Sequence, residues 1–294
     1  MDLQHAIDDF LLEQRFRGNS VKTVQYYENS LGRLRQFTSS DLPLANVTIP
    51  LLRCYYSSLT ERGLSSVTIQ SYIRALRSFL TWCFEQDYIE VNLSAKFKLP
   101  KAKIAAIDIL TDSEIRRLFS CFNLRYLVQL RNYCICSLML DSGLRMNEVV
   151  TLKLPMVKLA DGYIIVDGKG NKQRMAPLGL NTRRALMRYL SRRPGMAETD
   201  LVFLMSDLRP ITQNTVKQMF RRLKQQADIP RLRAHLLRHT FATLYLENGG
   251  DIYALQQILG HASLEMVRRY VHTTRRKLTA RFSEHSPMDN LYQG

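Results

Sequence analysis

Along the first 90 residues, apolar positions recur at helical spacing. Leu3, Ile7, Phe10 and Leu11 form one stripe; Val24, Tyr27, Leu31 and Leu34 form a second, entered at Ser20, whose hydroxyl suits a helix N-cap. A third stripe carries Leu52, Tyr55, Tyr56 and Leu59, with Pro50 in its first turn and Gly63 at its end. The fourth starts near Ser65 or Ser66 and runs Ile69, Ile73, Leu76, Leu80 and Phe84. Narrow stripes joined by short loops predict a four-helix bundle over residues 1–95.

From 96 to 108 the pattern lapses. KFKLPKAKIAAID holds Pro100, four lysines and no stripe long enough to bury, which reads as an interdomain linker. Residues 109–294 then make a second domain. Thr111 to Glu114 forms a capping box that starts a helix through Phe119, and a second helix covers Tyr126–Asp141 and stops at Gly143. The period changes to two in YIIVDGKGNKQRMAPL, a β-hairpin with Tyr163–Val166 as one strand and Arg174–Pro177 leading the other. Further helices are expected at Thr182–Arg193, Gln213–Ala227, Ala234–Asn248, Ile252–Leu259 and Leu264–Tyr270. The expected class is mostly α with one small hairpin or sheet.

Charge adds a partner to this picture. The 294 residues carry a formal charge of +16, and it is unevenly placed: residues 1–98 hold 11 Lys+Arg against 10 Asp+Glu, residues 99–294 hold 31 against 16. A second domain this basic concentrates a polyanion around itself, and nucleic acid leads that class. No stretch approaches the roughly 18 apolar residues of a membrane span, and the N-terminus MDLQHAIDDF lacks a signal-peptide pattern. The five cysteines (Cys54, Cys83, Cys121, Cys134, Cys136) are odd in number and lack CxxC spacing, which favours reduced core thiols and a cytoplasmic location over a disulfide frame or a zinc site.

Three clusters in the second domain can carry chemistry. In SGLRMNE, Arg145 follows a helix-ending glycine and Glu148 stands three positions on, able to hold its guanidinium; an ordinary surface ion pair would look the same. In HLLRH, His235 and Arg238 share a helix face, a pairing that suits a phosphate: Arg forks two oxygens and His moves a proton. His235 and His239 also have metal-ligand spacing, but the Glu of HExxH is missing and Arg238 would repel a cation, which favours an anion over zinc. In the third cluster, LGH is followed nine residues on by Tyr270, and Gly260 and Ser263 break the helix so that His261 and Tyr270 need not lie on opposite faces.

Taken in order, SGLRMNE, GKGNKQR, HLLRHTFAT and LGHAS followed by Tyr270 resemble the catalytic signature of the tyrosine recombinases, the lambda-integrase and Xer group. The resemblance implies an N-terminal SAM-like core-binding domain of four helices and an α-rich catalytic domain with a small β-hairpin or sheet. It further implies that Tyr270 attacks a DNA phosphodiester to leave a 3′-phosphotyrosyl link, while Arg145 and Arg238 clamp the charge of the transition state. In that scheme His235 assists proton movement at Tyr270, Lys169 protonates the departing 5′-oxygen, His261 hydrogen-bonds the scissile phosphate and Glu148 braces the site. Lys169 and Lys172 share one turn and physics alone does not separate them; the family pattern favours Lys169.

The same resemblance implies no metal and no cofactor. GKGNK lacks Walker spacing, and the covalent ester keeps the bond energy that ATP would otherwise supply. It implies double-stranded DNA with an inverted-repeat core site, and a homotetramer on DNA, or a hetero-tetramer with a related recombinase, with accessory proteins. Residues 275–294 would be the segment that docks on a neighbouring protomer. Lys22, Arg74 and Arg77 of the first domain, and Lys172 and Arg174 of the hairpin, are candidate DNA contacts; ordinary helix-surface charge explains the first three equally well. The segment SPMDNL tilts the expectation toward a mobile-element integrase, with a housekeeping Xer resolvase as the alternative. A DNA-binding regulator that has lost catalysis is the rival from another class, and a metallohydrolase using His235, His239 and His261 a further one.

Overall fold

All four N-terminal stripes become helices: α1 (Leu3–Phe16), α2 (Val21–Phe37), α3 (Ile49–Glu61) and α4 (Ser66–Glu85). Each is started by a side-chain cap, in which Asp2, Ser20, Thr48 and Ser65 accept the backbone N–H three residues on. The computed structural model describes residues 1–38, 42–98, 108–168, 173–195, 199–260, 267 and 270. The chain divides into two compact units, 1–105 and 106–294. Among the described residues, no helix is long and apolar enough to cross a membrane.

In the first unit the stripes close on one core. Phe10, fully buried, meets the rings of Tyr27, Phe79 and Trp82 edge-on at centroid distances of 5.1, 5.6 and 5.5 Å. Two details depart from expectation. Phe84 does not continue the fourth stripe: it is 40 % exposed, while Phe79, Trp82 and Cys83 turn inward instead. The stretch expected to begin the linker also starts later, because Lys96 closes a short helix α5 (Leu93–Lys96) and Phe97 is buried in the first core. Pro100 and the rest of that stretch as far as 107 lie outside the described residues.

The second unit is built round α7 (Leu127–Asp141), which follows α6 (Asp112–Ser120) and its Thr111/Glu114 capping box. Leu130, Cys134, Ile135, Cys136, Leu138 and Met139 bury nearly every side of α7, as expected of a helix apolar all round. It packs against α9 (Leu180–Leu190), α11 (Ala234–Glu247) and α8 (Met146–Val150). The hairpin is present as β2 (Tyr163–Asp167) and β3 (Gln173–Pro177), joined by a two-residue strand β1 (Val157–Lys158) into an antiparallel sheet of order β1-β2-β3. Ile164 pairs with Ala176 and Val166 with Arg174, and the alternation buries Ile164, Val166 and Ala176 on one face. Helices α10 (Gln213–Gln226) and α12 (Ile252–Leu259) complete the unit. The helix expected at Leu264–Tyr270 lies outside the described residues except for Val267 and Tyr270, both buried. All five cysteines are free; Cys83, Cys134 and Cys136 are core thiols as expected, whereas Cys54 is exposed on α3.

At the entrance to this unit, Arg231 collects Asp108, Glu114 and the Ile109 carbonyl, at 2.7 Å from Asp108 and 2.8 Å from Glu114 Oε2. The Arg231 guanidinium holds the Glu114 carboxyl down at about 2, against its ordinary 4.5. A carboxyl depressed on folding stabilises the protein above its unfolded value, and that contribution is lost as pH falls from 4.5 toward 2. Arg231→Met should therefore lower stability at neutral pH and flatten its decline over that acid window, read from urea midpoints at several pH values. In the first unit, Phe10→Ala should cost about 3–5 kcal/mol through cavity formation. Trp82 is the chain's single tryptophan, so its fluorescence reports this unit's unfolding selectively.

Candidate active site

Helix α7 ends at Gly143 in the left-handed conformation (φ 63°). A Cβ there would lie 2.5 Å from Phe241 Cδ1 and 2.8 Å from Leu259 Cδ2, so the glycine is required both by its dihedral and by close approach. Two residues on, Arg145 is the N-cap of α8 and Glu148 its N3 residue. The Glu148 carboxylate accepts the Arg145 backbone N–H at 2.7 Å and Arg145 Nη1 at 2.8 Å. Its Oε2 also accepts Arg174 Nη2 at 2.6 Å. The carboxylate is 4 % exposed, Arg174 9 % and Arg145 35 %, so the pair expected from sequence is a bridged triad in which only Arg145 reaches solvent appreciably.

Arg174, a candidate DNA contact from its place in the hairpin, is turned inward onto Glu148. Arg174 shares the inward face of β3 with Ala176, and burial pushes its pKa down while Glu148 pulls it back up. Its Nε and Nη1 are buried, with no hydrogen-bond partner among the described residues. Gly260, also left-handed (φ 61°), lies against its stem, where a Cβ would come within 2.6 Å of Arg174 Cδ.

Arg238 enters from the second turn of α11. It is buried, its Nη1 donating to the Gly143 carbonyl and its Nη2 to the Leu259 carbonyl at 2.8 Å. Burial, then the charges of Arg145 and Arg174, push it down to about 9, opposed by Glu148 and Tyr270. Three guanidinium groups thus act on one carboxylate, and an anion bound among them would relieve the excess. His235 is exposed at the start of the same helix; partial loss of hydration, then Arg238, Arg233 and Arg145, lowers its pKa and favours the neutral imidazole.

Tyr270 is 4 % exposed and packs with Phe241, Ala242, Leu255, Leu259 and Val267. Its hydroxyl is 2.8 Å from His239 Nδ1, and the His239 ring stands 6.5 Å from that of His235. Among the described residues, the histidine in contact with the tyrosine is therefore His239, where the resemblance assigns proton movement to His235. The sequence had marked His239 only as half of a metal-ligand spacing, and among the described residues no group of His, Cys, Asp or Glu could hold a metal ion. Arg145, Glu148, Arg238 and Tyr270 are thus linked through direct contacts or charge. Lys169, Lys172, His261 and the 275–294 segment lie outside the described residues.

The first-unit candidates lie on α2 and α4. Lys22 is exposed at the start of α2, and Arg74 is exposed and bonds Gln70 at 3.1 Å. Arg77, half-buried, donates its Nε to the Ser94 carbonyl at 3.2 Å, which ties α5 to α4.

A family model described as the phage integrase family matches residues 108–277, and one described as the phage integrase SAM-like domain matches residues 3–99. The chain belongs to the phage integrase family of tyrosine recombinases. The recombinase is 30 % identical to the tyrosine recombinase XerC of Oceanobacillus iheyensis, over 98 % of each chain. Among solved structures it is similar to the XerH site-specific recombinase bound to a palindromic difH substrate, with 25 % identity and a TM-score of 0.75 over 91 % of this chain and 82 % of that one. It shares the fold of the Tn1549 transposon integrase in complex with circular intermediate DNA, at 21 % identity and a TM-score of 0.79 over 96 % and 99 % of the two chains. An N-terminal SAM-like domain and an integrase catalytic fold are thus the architecture of this recombinase.

Glu148→Ala leaves Arg174 buried without its counter-charge and Arg145 unheld, which should lower stability by roughly 3–5 kcal/mol. Urea denaturation followed by circular dichroism measures it; a loss below about 1 kcal/mol would show that the triad does not hold the site together.

Proposed function

We propose that this recombinase cuts and rejoins duplex DNA at specific sites through a 3′-phosphotyrosyl intermediate on Tyr270. The observation that carries the reading is the convergence of a buried tyrosine hydroxyl, a histidine and a surplus of guanidinium charge on one side of α11. A phenol of ordinary pKa near ~10 is a poor nucleophile at neutral pH, so a group that accepts its proton is needed. The phosphorane-like transition state gathers charge on its non-bridging oxygens. Arg145, held by Glu148, and Arg238, fixed on two backbone carbonyls, are preorganised donors for that charge. Lys169 would protonate the departing 5′-oxygen and His261 would bond the phosphate, with His235 as a further phosphate or proton contact beside Arg238.

The SAM-like unit serves in this proposal as the core-binding module, and the basic catalytic unit supplies most of the attraction to phosphate. Strand exchange between two duplexes needs four cleavages, which makes a tetramer on an inverted-repeat core site the working assembly, with 275–294 as the exchanged segment. The element served is proposed to be a mobile one. A housekeeping role in resolving replicon dimers is the second reading, favoured by the near-complete span of the match to XerC.

An SDS-resistant adduct assay, without metal or ATP, on labelled DNA flanking the protein's own gene and on a replicon-dimer resolution site tests both. Wild type should form an adduct and Tyr270→Phe none while still binding; cleavage by Tyr270→Phe would overturn the nucleophile. Adduct on the flanking DNA alone supports the mobile element, and on the resolution site alone the housekeeping role. Arg145→Ala or Arg238→Ala should slow adduct formation about 10²–10³-fold or more, the usual cost of removing one preorganised oxyanion donor. Near-normal rates in either would remove it from the phosphate clamp.

A further inference from the structure

The two histidines of HLLRH sit one helical turn apart on α11, yet their surroundings differ. His235 is acted on by Arg238, Arg233 and Arg145, the cationic side of the site. His239, partly buried, turns its Nδ1 to the Tyr270 hydroxyl at 2.8 Å, with the rings 5.8 Å apart and tilted by 45°. We propose that His239 is a catalytic residue, the group that takes the Tyr270 proton when the phenol attacks and returns it on rejoining. This rests on the recombinase reading given above.

The geometry satisfies the first requirement of a general base, hydrogen-bond reach of the proton it removes. On cleavage the Oη–H proton passes to Nδ1, the Oη–P bond forms and the P–O5′ bond breaks, the leaving oxygen taking a proton from the general acid for which Lys169 is the candidate. Rejoining reverses each transfer: the 5′-hydroxyl loses its proton, Oη leaves phosphorus and regains its own from His239. Among the described residues, the charged and titratable groups around the pair include His235 and Arg238 of the same helix, with Arg145 and Glu148 of α8 and Arg174 of β3 beyond them. The Arg238 guanidinium is charge-coupled to Tyr270 and would steady the nascent phenolate. His235, its ring 6.5 Å from that of His239, is left to the phosphate.

Two measurements on the full chain test this. In the first, 3-fluorotyrosine is placed at 270 and its ¹⁹F resonance followed with pH, without DNA. Wild type should show a step as the imidazole takes up a proton, because protonated Nδ1 becomes the donor and the phenol oxygen the acceptor. His239→Asn should abolish the step and His235→Asn retain it. In the second, the rate of adduct formation on a nicked DNA carrying the cleavage site is measured against pH. Wild type should lose rate on the acid side, and His239→Asn should be slower by about 10²-fold or more and lose that acid limb. His235→Asn should be slower yet keep it. A step or limb that survives in His239→Asn, or that disappears in His235→Asn, overturns the proposal. An absence of adduct in wild type instead overturns the recombinase reading, and the fluorine titration then decides the proton link by itself.

Discussion

A single buried carboxylate organises the positive charge of this site. Glu148 accepts from the Arg145 main chain, the Arg145 side chain and Arg174 at once. Like charges this close would otherwise repel, and each guanidinium would swing toward water. By neutralising part of the charge and binding three donors in fixed directions, the carboxylate holds the arginines still without cancelling them. The surplus that remains is what a phosphate can use. The same bonds cap α8, so a local turn and the long-range position of β3 are set by one side chain.

How far the sequence discloses this depends on the range of the interaction. The four N-terminal helices and α12 are legible because their stripes, caps and stop residues are local: Asp251 caps α12, and Gly260 ends it in the left-handed conformation. Strand β1 and helix α8, two and five residues long, are too short to show a period. Phe84 fails as a core residue because, at the end of α4, Trp82 and Cys83 fill the interior that it would have shared.

Site residues follow the same division. The Arg145–Glu148 pair is readable at three-residue spacing. The inward aim of Arg174 was available in the period-two alternation with Ala176, but an arginine in a basic hairpin is more readily read as a DNA contact. That Arg238 binds the carbonyls of Gly143 and Leu259 is a tertiary fact spanning 95 and 21 positions, and no local pattern carries it. The His239–Tyr270 contact is likewise formed across 31 positions. The motif resemblance assigns the proton at Tyr270 to His235, and no local pattern sets His239 against the tyrosine.

Arg238 is held by main-chain oxygens at the ends of two helices, α7 and α12, each of which presents its carbonyls to the guanidinium. Backbone carbonyls are the same in every sequence, so the anchorage of this cation does not depend on what side chains α7 and α12 carry. Substitutions that preserve the packing of those helices and the glycine at 143 leave the cation in register. Insertion or deletion in the segments that end them does not, because either would carry an anchoring carbonyl away. The site is thus tolerant of drift in composition and intolerant of drift in length.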